Sequence, residues 1–181
     1  MRRRTLIVSV ACLLVLGMAI PAVAGSVHLK GGPRAEPSFV DGGLTLSASG
    51  ALSGLGNGDV LISVTATADV TSTCTNNGGN AAPGQNPAPI TVIGSQAIPQ
   101  SELKNGTTPF SVVTTAPAAE IPGAPDCPSP QWTESIDELA FTSATITVEQ
   151  AGTTVLTLTC TIDPPSSDGN IPAGNVSCTS S

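Results

Sequence analysis

The stretch 54–74, GLGNGDVLISVTATADVTSTC, decides how this chain folds. Val60, Ile62, Val64, Ala66, Ala68 and Val70 fall on one parity, and Ser63, Thr65, Thr67, Asp69, Thr71 and Thr73 on the other. A strand points successive side chains to opposite faces, so the alternation predicts one buried and one wet face. Gly56-Asn57-Gly58-Asp59 ahead of it predicts a hairpin turn, because Asn-Gly accepts the positive φ that a type I′ turn needs.

The same period of two recurs on both sides. Leu44, Leu46 and Ala48 share one face of a preceding strand. Further strands are expected at 90–94, 109–115, 139–149, 153–162 and 175–179, with a hairpin about Gln150-Ala151-Gly152. Within 139–149 the apolar phase slips from odd (Leu139, Phe141) to even (Ala144, Ile146, Val148), and a bulge near Thr142 and Ser143 would absorb the slip. One short helical turn is allowed from Thr133 to Leu139, where Trp132, Ile136 and Ala140 recur at four-residue spacing and Ser135-x-x-Glu138 has the form of a capping box. The fold class is therefore all-β: an antiparallel sandwich of about seven strands, immunoglobulin-like or fibronectin-like in architecture. A single closed barrel is the alternative. No family motif accompanies the pattern, and Trp132 stands too far from its flanking strands for a Cys-Trp-Cys core.

The ends set the domain boundaries. Arg2, Arg3 and Arg4 precede an apolar run from Thr5 to Ile20, and Pro21 and Ala22-Val23-Ala24 follow. This reads as a cleaved signal peptide over 1–24, and hence as a secreted, extracellular protein. A membrane anchor would want a longer run, and Ser9 spoils a lipobox at Cys12. Residues 25–37 read as a flexible lead-in, and 38–181 as a single β-sandwich domain. After cleavage Lys30, Arg34 and Lys104 face 13 acidic residues, a net charge of 3 − 13 = −10. That charge argues against nucleic acid and anionic lipid as partners, and no later segment is long and apolar enough to span a membrane.

Cys74, Cys127, Cys160 and Cys178 would remain, an even number that reads as two disulfides. Phase alone allows Cys74–Cys160 across the sheets. A hairpin about Asp168-Gly169-Asn170 places Cys160 opposite Cys178 instead, which leaves Cys74 to Cys127. The expected pairs are Cys74–Cys127 and Cys160–Cys178.

Catalytic chemistry has few carriers. His28 is the only histidine, no G-x-S-x-G elbow exists, and the cysteines are expected to be bonded. Glu134, Asp137 and Glu138 beside Trp132 resemble a glycosidase acid set, but the chain has no tyrosine and one tryptophan for stacking. No catalytic, cofactor-binding or metal residue is assigned. Calcium is the cofactor to consider, with oxygens from Asp126, Glu134, Asp137, Glu138, Asp163 and Asp168. Asn105-Gly106-Thr107 and Asn175-Val176-Ser177 fit the N-glycosylation pattern.

Two functions follow as expectations. One is a non-catalytic extracellular binding or structural module whose long loops, 75–88 and 116–131, contact another extracellular protein or a cell-envelope component. The other is a small secreted hydrolase using the Glu134/Asp137/Glu138 cluster.

Overall fold

A computed structural model describes residues 27–32, 34–104 and 106–181. The signal peptide reading and the acceptor Asn105 lie outside these residues. Among the described residues twelve strands run in chain order: β1 (His28–Leu29), β2 (Ser38–Asp41), β3 (Leu46–Ser53), β4 (Val60–Thr75), β5 (Ala81–Pro83), β6 (Ile90–Ile98), β7 (Thr108–Val113), β8 (Glu120–Ile121), β9 (Thr133–Gln150), β10 (Thr153–Ile162), β11 (Gly169–Asn170) and β12 (Val176–Ser180). They form two antiparallel sheets. In one, β3 is flanked by β7 on one edge and by β1 and β2 on the other, with β11 beyond β2. In the other the order is β12, β10, β9, β4, with β6 and β5 along the far edge of β4 and β8 beside the start of β9.

The opening stretch sits at the centre of the larger sheet. Val60, Ile62, Val64, Ala66 and Ala68 are buried. They meet Phe39, Leu46, Ala48, Leu52, Phe110 and Val112 of the facing sheet in one core. Each large apolar side chain removed from water there contributes about 1.5–3 kcal/mol, which outweighs any single polar contact. The outer face holds hydroxyls. Thr65, Thr145, Thr159 and Thr179 form one row across four strands, and Thr67, Ser143, Thr161 and Ser177 the next.

Three expectations need correction. The helical spacing from Thr133 to Leu139 does not make a turn: these residues open the 18-residue β9. Pairing with β4 and burial of Ile136 and Leu139 outweigh a local propensity too short to nucleate a helix. Helical backbone is confined, among the described residues, to single 3-10 turns at Gln100–Glu102 and Ala173–Asn175. Next, the lead-in is docked over its described part. His28 and Leu29 pair with Ser53 and Leu52, Lys30 N–H donates to Ala51 O at 2.8 Å, and Val27 and Leu29 are buried. Finally, the turn at 56–59 closes no hairpin, because β3 and β4 lie in different sheets; β3 pairs instead with Ser38–Asp41, a strand too short for its alternation to announce it.

Strand β9 carries two bulges against β4. Thr142 is the extra residue between the pairs Thr67–Ser143 and Ala68–Phe141, where the phase slip required one. Asp137 is the extra residue between Thr71–Glu138 and Ser72–Ile136. Together they bring Ile136, Leu139, Phe141 and Ala144 onto the core side despite their mixed parity.

The sheets meet at a corner between β6 and β7. Thr115 N–H donates to Ile93 O at 2.9 Å, and Ser111 N–H to Gln96 Oε1 at 2.9 Å.

Behind β2, Asp41 is buried. Its carboxyl accepts from Gly43 N–H at 2.9 Å and from the Ser166 hydroxyl, and Ser166 Oγ in turn accepts from Phe141 N–H at 2.7 Å. The chain thus pins one sheet to the other through a loop. Burial pushes the Asp41 carboxyl above its ordinary value of 3.8, and the nearby Asp168 charge pushes the same way, against the two lowering hydrogen bonds. A raised folded-state value means that stability is fully present below the ordinary value and is lost as pH rises through the folded one. Asp41→Asn, which has no charge to bury, should therefore gain on the wild type from pH 4 to pH 7 in urea midpoints. An equal loss at both pH values would show that the carboxyl's charge is immaterial.

Candidate functional site

The loops 75–88 and 116–131 come together at the end of the sandwich where β4 stops. Past Thr75 the chain turns on Asn76, whose side-chain oxygen accepts from Gly78 N–H and Asn80 N–H, both at 2.9 Å. It then returns as β5 against Thr73–Thr75. Gly84 N–H donates to Ser72 O at 2.8 Å, and Gln85 N–H donates across to Asp126 O at 2.9 Å. The disulfide Cys74–Cys127 closes 53 residues and ties the second loop covalently to the end of β4, where the first loop begins.

Beneath them lies Glu134, with no solvent exposure. It stands opposite Cys74 in the β4–β9 register. Its Oε1 accepts from Ser72 Oγ at 2.9 Å and its Oε2 from Asp126 N–H at 3.3 Å. One donor comes from each side of the pole, so the carboxyl is a brace between them. A buried carboxyl is tolerated only with such partners.

That placement separates the acids that the sequence groups together. Glu134 is on the core side with Ile136. Asp137 is exposed at its bulge, accepting from Thr73 Oγ1 at 2.6 Å, and Glu138 is exposed opposite Thr71. A catalytic pair needs both carboxyls on one substrate; Glu134 is buried away from solvent, which leaves Asp137 and Glu138 as the exposed acids of the three. Trp132 is half-buried beside the loop and Leu139 belongs to the core. The calcium set is divided too. Asp126 lies by Glu134, whereas Asp168 lies by Asp41 and Gly43 on the other sheet, and Asp163 is exposed after β10. Among the described residues, no three His, Cys, Asp or Glu side chains converge to hold a metal ion.

The second disulfide, Cys160–Cys178, joins residues that are direct partners in the β10–β12 register and closes 18 residues. Asn175 is half-buried at the end of its 3-10 turn, its carbonyl accepting from Asp163 N–H at 2.9 Å.

No known family model, curated protein or solved structure matches the chain.

The opposite end carries a feature that the strand pattern did not disclose: a cleft of about 920 Å³ between the β3–β4 turn, the segment joining β6 to β7 and the β9–β10 hairpin. Its rim is held by side chains. Gln150 Oε1 accepts from Gly56 N–H at 2.9 Å, and Gln150 Nε2 donates to Gly56 O at 2.8 Å. Ser53 Oγ donates to Gly106 O at 2.9 Å, and Gln100 N–H donates to Asp59 Oδ1 at 2.9 Å. The in-phase Gln150 ending an apolar alternation was the available signal: a buried amide at a strand end needs partners, and the facing turn supplies them.

Proposed function

We propose that this chain is a secreted, non-catalytic binding module that presents the pole formed by 75–88 and 116–131 to an extracellular protein or cell-envelope component. The observation that carries this reading is the bracing of that pole by Cys74–Cys127 and buried Glu134. Loops fixed in advance lose little conformational entropy on binding, which is what a recognition surface on a rigid scaffold requires. Two disulfides suit an oxidising compartment. The sandwich, read as immunoglobulin-like or fibronectin-like, supplies the scaffold. The acidic sequence disfavours nucleic acid, and among the described residues no helix is long and apolar enough to cross a membrane.

The test is capture from the native extracellular medium with micromolar bait. The wild type should retain a partner that a bait carrying Asn77→Arg and Pro122→Arg, both at exposed tips, loses, while Asp137→Asn with Glu138→Gln retains it. Absence of a partner, or retention by the arginine variant, overturns the reading. Hydrolysis of any screened substrate that disappears with Asp137→Asn and Glu138→Gln would return the function to the hydrolase alternative.

A further inference from the structure

The rim hydrogen bonds make the cleft at the Gln150 end a preformed hollow, and its volume falls in the range of small-molecule sites. Two observations define what it would take. Leu55, Leu103 and Val155 reach it from three different segments, and all three are only half-buried against the core. Apolar side chains left half in water at a shared concavity gain most from an apolar ligand body. The second observation is charge. In a chain of 13 acids and six bases, the one formal charge among the described lining residues is the cation of Lys104, adjacent in sequence to Leu103. Glu102 lines only the adjoining hollow, whose wall Leu103 and Lys104 share. Gln100 and Asn57 add neutral hydrogen-bonding groups to the wall.

We propose that this cleft binds a small amphiphilic carboxylate, its aliphatic body on Leu55, Leu103 and Val155 and its head group on Lys104. The site is separate from the loop pole: the described lining residues belong to the other end of β4. Either surface can fail without the other.

Octanoate is the probe, titrated into the full chain and followed by backbone amide shifts, with octanamide as the uncharged isostere. Octanoate should saturate in the millimolar range and move the amides of Leu103, Gly106, Ala151 and Val155. Lys104→Met should weaken octanoate about fivefold, the scale of one solvent-screened ion pair, and Lys104→Glu further, while octanamide binds all three proteins alike. Added salt should weaken octanoate and leave octanamide unchanged. Lys104 is exposed, so neither substitution threatens the fold. Equal octanoate affinity in the wild type and Lys104→Glu, shifts centred elsewhere, or no saturation overturns the proposal.

Discussion

Replacing Cys74 and Cys127 together with alanine should lower the unfolding free energy by about 5–7 kcal/mol, more than any other change to the cysteines. The bridge closes 53 residues. Restricting an unfolded chain by a loop of that size is worth about 4 kcal/mol on the chain-entropy account, against about 3 kcal/mol for an 18-residue loop. The two bridges differ in a second way. Cys160 and Cys178 are bonded between strands already paired from Leu158–Ser180 to Ile162–Val176, so the strand pairing survives their removal. Cys127 lies in a loop held at this pole by Asp126 and a few turn hydrogen bonds. Without the bridge, Glu134 should lose its Asp126 donor as the loop leaves, and a buried carboxyl short of a donor costs a further 1–3 kcal/mol or so. Urea unfolding of the two double variants checks the order. Hydrogen exchange should accelerate over 75–88 and 120–127 in the Cys74/Cys127 variant and stay at wild-type rates along β10. A larger loss from Cys160/Cys178 would mean that the hairpin, and not the loop pole, depends on its bridge.

Gly94→Val should cost about 3 kcal/mol and open the corner between the sheets. A Cβ at this position would run into the carbonyl oxygen of Val113, with Val113 C at 2.7 Å and Thr114 Cα at 2.8 Å. All three are backbone atoms, so no side chain can step aside. The strands must separate, and the bonds Thr115–Ile93 and Ser111–Gln96 that close the corner are strained or lost. Overpacking alone costs about 1–3 kcal/mol, and the upper end applies where backbone must move. Gly94→Ala should show most of the same loss. Gly79→Ala is the comparison at a glycine with open space around it, where only its φ of 77° resists a side chain. A Gly94→Ala midpoint no lower than that of Gly79→Ala would refute the close approach.

The alternation in 54–74, the slip at Thr142 and the hairpin about 150–152 were legible because each depends on near neighbours and the two-residue period of a strand; the pairing of β10 with β12 was also foreseen, although Gly169–Asn170 is a strand against β2 and not the turn expected there. They carried the sandwich class and the opposition of Cys160 to Cys178. Glu134 was not legible. Its direction depends on the Asp137 bulge, and that bulge exists only against β4, some sixty residues away. A one-residue slip moves a side chain from solvent to core, and this slip turned an apparent acid cluster into one brace and two surface groups. The docking of His28 and Leu29 on the end of β3 was equally hidden, since two residues carry no period.

The sequence by itself determined the all-β class, the strands that carry the core and the acidic composition, because composition and periodicity are properties of the chain. Only the tertiary structure decided which acids are buried, that Gly94 must lack a side chain, and that three half-buried apolar residues share a cleft with Lys104. Each of these follows from segments far apart in sequence meeting in space, and no local pattern encodes where they meet.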